Sequence, residues 1–319
     1  MFQSTPVPGR QKRLKEVTPL PSEIIPLKGE VSNRGLFLMK NELSIEFFPP
    51  QTTEGLARLK NERARLAALK PDFFSVTYGA GGSTRERTFA IVKEIAAEGF
   101  DAVPHLSCVG STRAGIREIL GEFKATGIRR IVALRGDLPS GMAEAGELRY
   151  ANELVEFIRA ETGDTFQIIV AAYPEWHPQA KSPEADLRNF SRKAKAGANT
   201  AITQYFYNAD AYFHFVDKAR DAGVEIPIIP GIMPIASFYK LARFSDACGA
   251  DIPRWMRRQF ESYADDVESI RAFGLETVTR LCERLLQGGA PGLHFYSMNR
   301  ASLTLEILHR LGFEACAPS

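Results

Sequence analysis

The stretch Leu43-Ser44-Ile45-Glu46-Phe47-Phe48-Pro49-Pro50 decides how the rest of the chain is read. Its apolar and β-branched residues predict a strand over 43–47, with side chains alternating between two faces. Leu43, Ile45 and Phe47 fall on one face; Ser44, Glu46 and Phe48 fall on the other. Two prolines then forbid further regular pairing. A carboxyl group is therefore expected at the C-terminal mouth of a strand, walled by aromatic rings. Such surroundings disfavour the charged form and raise a carboxyl pKa. A glutamic acid that keeps its proton can give it to a substrate. The alternative, from this segment alone, is a rim glutamate paired with an Arg or Lys.

Outward from Glu46 the same kind of run recurs. Further strands are predicted at 73–78, 102–107, 130–135, 167–173, 200–205, 226–231 and 293–297, and helical patterns at 54–68, 86–97, 112–126, 148–161, 183–196 and 209–222. Strands alternating with helices imply parallel pairing through right-handed crossovers. Eight such units over about 270 residues predict an α/β protein with a (β/α)8 TIM barrel over 41–319. The segment after 231 is longer and holds extra helical material at 237–248, 253–263 and 266–287. An open doubly wound sheet is the competing fold; it needs fewer strands or a second core, and no linker interrupts 41–313.

Composition narrows the function classes. The chain has 319 residues with 45% hydrophobic and 24% charged, as in ordinary soluble globular proteins. A net charge of +2 makes no electrostatic case for nucleic acid or an acidic membrane surface. Cys108, Cys248, Cys282 and Cys316 form neither a CxxC pair nor a zinc spacing, which predicts free thiols in a reducing compartment. No apolar run has the length of a membrane span, and the N-terminus lacks the apolar core of a signal peptide, so the cytoplasm is expected. Residues 1–40 interleave Pro6, Pro8, Pro19, Pro21 and Pro26 with Arg10, Lys12, Arg13, Lys15 and Lys28. That composition predicts an extended or disordered arm.

A barrel enzyme gathers its chemistry at the C-terminal ends of the strands. Those ends are rich in polar groups: Glu46, then Thr77-Tyr78-Gly79, His105 and Ser107, Arg135-Gly136-Asp137, Tyr173-Pro174-Glu175-Trp176-His177, Gln204, and Asn299-Arg300. Gly79-Ala80-Gly81-Gly82-Ser83-Thr84 follows a strand and precedes a helix, but Thr84 stands where GxGxxG needs its third glycine, so a Rossmann site is rejected. In Arg135-Gly136-Asp137 a local ion pair competes with a donor and acceptor aimed into the mouth; an aspartate can hold the NH groups of a heterocycle. His105 and His177 lack metal-ligand spacing. Asp186, Asn189 and Lys193 share a helical face, with Arg192 beside it; a solvated face and a ligand contact are both open for them.

Taken together, the segments SIEFFPP, FFSVTYGAGGSTRERT, VPHLSC, IVALRGDLP, VAAYPEWHPQAKS, AGANTAITQYFYN, IIPGIMPI and LHFYSMNRA resemble the bacterial single-domain methylenetetrahydrofolate reductases, in order and spacing, over roughly residues 41–313. The resemblance implies non-covalent FAD in a barrel and reduction of 5,10-methylenetetrahydrofolate to 5-methyltetrahydrofolate by NADH or NADPH. It implies ping-pong hydride transfer through the flavin, a place in supplying methyl groups for methionine, and a homo-oligomer. Residue by residue, Glu46 would be the general acid that helps open the folate ring, and Asp137 would lie by the flavin and hydrogen-bond the pterin. Gln204 and Arg300 would contact folate. Thr77, Tyr78, Ala80, His105, Arg135, Gly136, Tyr150, His177, Ala180, Asp186, Asn189, Arg192 and Lys193 match flavin-contacting positions. No metal is implied. The arm of residues 1–40 is longer than the family pattern needs, and no regulatory domain is expected after the barrel. Rival readings are a flavin barrel similar to proline dehydrogenase, a non-catalytic folate- or flavin-binding barrel, and a Schiff-base aldolase, for which no strand offers an inward lysine.

Overall fold

The two-face alternation of 43–47 recurs in the other strands, and it sorts the core of the computed structural model into two shells. The structure describes residues 41–78, 85–137 and 146–314. The ring is built from β1 (Glu42–Phe47), β2 (Phe73–Val76), β3 (Ala102–Ser107), β4 (Arg130–Leu134), β5 (Gln167–Ala172), β6 (Thr200–Thr203), β7 (Ile228–Ile229), β8 (Gly231–Ile232) and β9 (Gly292–Tyr296). All pair in parallel, in the order β7-β6-β5-β4-β3-β2-β1-β9-β8. Inside the ring Phe73, Val103, Val132, Ile169, Ile202 and Ile229 pack on one another. The opposite faces, among them Ile45, Phe74, Leu106, Ile131, Val170 and Phe295, join the helices in a larger outer shell. This is the packed, layered interior of a TIM-type barrel rather than a pore.

One strand departs from expectation. The run predicted as a single strand over 226–231 is two short ones, separated by Pro230. Proline has no N–H to give to a ladder. Upstream of it β7 pairs with β6; downstream β8 pairs with β9. The carbonyl of Pro230 accepts from the backbone of His294 at 3.0 Å. The proline is thus the point where the chain passes from one neighbour to the other, bringing the two ends of the sheet together. Gly231 is required beside it: a Cβ there would lie 2.1 Å from the Thr203 carbonyl oxygen and 2.6 Å from the Tyr296 ring.

The helices are α1 (Thr53–Ala67), α2 (Arg85–Ala97), α3 (Arg113–Ala125), α4 (Ala151–Thr162), α5 (Pro183–Lys195), α6 (Ala209–Asp221), α7 (Phe238–Cys248), α8 (Arg254–Ser262), α9 (Val267–Gln287) and α10 (Ser302–Arg310). Thr52, Thr112, Ser182 and Asn208 cap their helices, each accepting a backbone N–H of the first turn. Such caps satisfy donors that have no intrahelical partner. The extra helices α7, α8 and α9 lie between β8 and β9, in the long segment expected there. Strands β2, β4, β5 and β6 end a residue or two earlier than the sequence suggests, so Thr77, Tyr78, Arg135, Tyr173 and Gln204 stand just beyond the ladder, at the mouth. At the opposite end Arg130 closes the inner layer. Its guanidinium lies 5.2 Å from the Phe73 ring centroid and 2.8 Å from Asp101.

Candidate active site at the strand ends

Glu46 faces the barrel interior because Ile45 and Phe47, on either side of it, face the helices. Its carboxylate lies 3.4 Å from Nε2 of His105 on β3 and 3.7 Å from Nε2 of His294 on β9. The far nitrogen of His294, Nδ1, is hydrogen-bonded to the Ser44 hydroxyl at 2.8 Å. Both imidazoles are buried. Burial pushes the His105 pKa below its ordinary value, against the pull of Glu46; the ring is neutral at neutral pH and offers one donor and one acceptor nitrogen. Tyr296 completes the group. Its ring meets His294 edge-on at 5.2 Å, its hydroxyl donates to the Thr203 carbonyl at 2.7 Å, and burial raises its pKa well above the ordinary phenol range.

The expected aromatic wall around Glu46 is thus replaced by two imidazoles and a tyrosine. The parity that turns Glu46 inward turns Phe47 outward, where its ring packs on Phe74 at 5.4 Å. Phe48 lies past the ladder and is exposed. Asn299 holds that turn at two points, accepting from Phe48 N at 3.0 Å and donating to Phe48 O at 2.8 Å. The Ser297 hydroxyl donates to the Glu46 carbonyl at 2.7 Å. Met298 and Asn299 both adopt positive φ, +52° and +55°, a conformation that costs a non-glycine residue energy and is held by its surroundings. His294 escaped the sequence reading, although strand parity puts it with Tyr296 on the inward face of β9.

A second group gathers at the ends of β4 and β5 and on α5. Arg135 donates to its neighbour's carbonyl, Gly136 O, and to Gln179 Oε1 at 2.6 Å, tying the end of β4 to the loop after β5. Gly136 has φ +84°, and a Cβ there would fall 1.8 Å from the Ser107 hydroxyl, so only glycine fits. The backbone N–H of His177 donates to Asp186 at 2.9 Å, and His177 O accepts from Ala180 N at 2.8 Å. The His177 ring meets Tyr173 edge-on at 4.6 Å. Burial lowers the His177 pKa, with Asp186, Arg135, Lys193 and Asp137 all close enough to act on it. Lys193 reaches from α5 to donate to the Ala171 carbonyl, and burial pushes its pKa down to about 8. The mouth does therefore hold a half-buried lysine, contributed by a helix rather than a strand.

The remaining expected residues are more scattered. Thr77 and Tyr78 are half-buried beyond β2, with Thr77 N donating to Phe47 O at 2.9 Å. Gln204 is half-buried and its Oε1 accepts from Tyr205 N at 3.0 Å. Tyr150, Asn189, Arg192 and Arg300 are exposed. Ala80, with the rest of the glycine-rich loop 79–84, lies outside the described residues, as do 138–145, Cys316 and the arm of residues 1–40. Cys108, Cys248 and Cys282 are free thiols. Among the described residues no helix is long and apolar enough to cross a membrane.

Chemically, the first group can hold and pass a proton at a half-buried carboxyl beside two buried imidazoles. The second offers cations, a neutral imidazole and aromatic rings, a donor set that suits an anionic ligand carrying a flat heterocycle.

Comparison with known proteins agrees. The family described as methylenetetrahydrofolate reductase matches residues 36–312. The chain is 44% identical to the 5,10-methylenetetrahydrofolate reductase of Escherichia coli (strain K12) over 271 residues, covering 85% of this chain and 90% of that one. It is 42% identical to that of Salmonella typhimurium over 286 residues, 89% and 95% of the two chains. A solved structure described as an uncharacterized protein from Clostridium thermocellum that binds two copies of 5-methyl-5,6,7,8-tetrahydrofolic acid has a TM-score of 0.57, at 17% identity, covering 86% of this chain and 94% of that one; it shares the fold. With a match across most of the barrel and relatives this similar along nearly their whole length, the chain belongs to the methylenetetrahydrofolate reductase family.

Proposed function

We propose that this protein reduces 5,10-methylenetetrahydrofolate to 5-methyltetrahydrofolate with FAD as its resident redox group and NADH or NADPH as donor. The observation that carries the reading is Glu46, held inward within 3.4 Å and 3.7 Å of two buried imidazoles. FAD, when bound, supplies the hydride relay between nicotinamide and folate. Glu46 protonates the ring nitrogen that must leave the methylene carbon, since an amine leaves poorly without a proton. His105 and His294 hold the Glu46 carboxyl in place, and the Ser44 hydroxyl fixes the tautomer and orientation of His294. Arg135, Lys193, His177, Asp186 and the backbone at Gly136 hold the cofactor, with Thr77, Tyr78, Ala80, His105, Tyr150, Ala180, Asn189 and Arg192 around it. Asp137 hydrogen-bonds the pterin, and Gln204 and Arg300 position the folate. Nicotinamide and folate occupy the same place in turn, which makes the kinetics ping-pong. The product supplies methyl groups for methionine.

The test is direct. The purified protein should be yellow, bleach anaerobically with NADH or NADPH, and recolour on adding 5,10-methylenetetrahydrofolate. Initial rates at several folate concentrations should give parallel double-reciprocal lines. A colourless protein, or bleached protein that folate leaves bleached, would overturn the reading.

A further inference from the structure

Among the described residues two buried side-chain oxygens have no hydrogen-bond partner, Oγ of Ser75 and Oγ1 of Thr304. A hydroxyl that gives up water without gaining a partner costs free energy that an apolar side chain would not, so each such group calls for a reason. Thr304 stands on α10, outside the ring. Ser75 stands inside it, on β2, and is completely buried.

Parity and register fix where Ser75 lies. Phe73 packs in the inner layer, and Phe74 and Val76 join the outer shell, so Ser75 faces inward with Phe73. In the ladder Ser75 is paired with Glu46 on β1 and with Val103 on β3. Paired residues of neighbouring strands share a face about 4.8 Å apart, which makes Ser75 and Glu46 lateral neighbours. His105 stands two residues beyond Val103, on the same face. The approach of Glu46 to His105 therefore spans β2 beside Ser75, and the small serine side chain leaves that path open.

The two groups complement each other. The imidazole nitrogens lie 3.4 Å and 3.7 Å from the Glu46 carboxylate, long for N–H···O bonds, and an ionised carboxylate can accept about four. Glu46 thus has room for a donor, and Ser75 carries one with nothing to receive it. The titratable groups facing Glu46 are His105 on β3 and His294 and Tyr296 on β9. β2 brings none, and the Tyr296 hydroxyl is committed to the Thr203 carbonyl.

We propose that Ser75 is a positioning residue for Glu46: its hydroxyl donates to the Glu46 carboxylate and stabilises the anion left when the proton departs. A change of Glu46 rotamer brings the two together, since their backbones are one strand spacing apart. The proposal rests on Glu46 as the general acid. In that step the Glu46 O–H bond breaks and an N–H bond forms on the leaving nitrogen; Ser75 keeps its own proton and turns it toward the new charge. A donor to the charged form favours that form, so the hydroxyl makes Glu46 a readier acid.

The test compares Ser75→Ala with Thr304→Val in the full-length holoenzyme. Neither should lower Tm measurably, because neither hydroxyl has a partner to lose. In Ser75→Ala the folate half-reaction, followed by anaerobic stopped flow, should slow roughly tenfold or more, the scale of one lost hydrogen bond to a charged group. Reduction of the flavin by nicotinamide should be unchanged, and Thr304→Val should match the natural protein in both halves. Ser75→Cys, with a thiol that is a weak donor, should fall between. A second readout needs no turnover: the infrared band of the protonated Glu46 carboxyl, identified by its absence in Glu46→Gln, should persist to higher pH in Ser75→Ala than in the natural protein. Normal folate reduction in Ser75→Ala, or a carboxyl band that titrates as in the natural protein, would overturn the proposal. So would a lowered Tm with both half-reactions slowed alike. Rapid folate turnover by Glu46→Gln would overturn the acid role of Glu46 itself, and is told apart because the carboxyl band does not depend on turnover.

Discussion

The two sides of the barrel mouth are built by different means. On one side Glu46, Ser44, His105 and His294 all stand on strands β1, β3 and β9, with their backbones held in the ladder. Their spacing follows from strand register. On the other side Arg135, Asp137, His177, Asp186 and Lys193 come from strand exits, a loop and a helix. Lys193 and Asp186 are held by side-chain hydrogen bonds to backbone, at Ala171 and His177, and Arg135 by a side-chain bond to Gln179 in the loop. The proton transfer proposed for the first group demands fixed distances, and strands supply them. The ligand holding proposed for the second tolerates adjustment, and loops and a helix face allow it.

The contrast is open to attack, and the strongest blow falls on the strand side. Glu46→Gln should slow folate reduction roughly 10²–10⁴-fold while reduction of the flavin by nicotinamide is unchanged, each half measured alone by anaerobic stopped flow. Rapid folate turnover by that variant would remove Glu46 from the proton's path. On the other side Lys193→Met should weaken flavin binding by about tenfold or more, as expected for one lost charge-assisted hydrogen bond. Because burial sets the Lys193 pKa at about 8, its charge is present below that pH and lost above it. Flavin fluorescence should report release as pH rises through 8 in the natural protein, and a flatter profile in Lys193→Arg. An unaltered affinity in Lys193→Met would place the lysine outside the cofactor site.

Ser44→Ala leaves His294 Nδ1 buried without its partner and should cost about 1–3 kcal/mol of stability, measured by urea unfolding. It should slow folate reduction and leave flavin affinity alone; a loss of flavin instead would mean that the two sides are one unit. The smallest effect concerns Glu175, on the loop after β5, which accepts from Asp251 N at 2.7 Å. Burial raises its pKa from 4.5 to about 7. Between those values the folded protein binds a proton that the unfolded chain does not, so this group's contribution to stability falls as pH rises through the window. Glu175→Gln removes that slope. The variant should gain about 1–2 kcal/mol relative to the natural protein between pH 5 and pH 8, after allowance for the group's partial exposure. Parallel stability curves would show that Glu175 titrates normally.

How much of this could be read from residues alone differs by element. The strand at 43–47 and its two faces were legible because parity is a local property of extended backbone. The helix starts expected at 112 and 183 fall within a residue of those observed, and Thr112 and Ser182 prove to be the caps of α3 and α5. The split at Pro230 was not legible, because a proline in a short apolar run leaves open whether the run stops or changes neighbour. His294 was missed for a similar reason. It bonds Ser44 from 250 residues away, and no local pattern announces a partner at that distance.

Alternation and spacing by themselves pointed to an α/β barrel with a carboxyl at a strand end, since both follow from the geometry of a few adjacent residues, and left an open sheet and a paired rim glutamate as the alternatives. Which groups surround that carboxyl was settled only when the ring closed. Closure sets β3 near β1 and β9 directly beside it, so Glu46 meets two imidazoles instead of its own phenylalanine neighbours. The chemistry of the site therefore depends on register between strands that the chain keeps far apart.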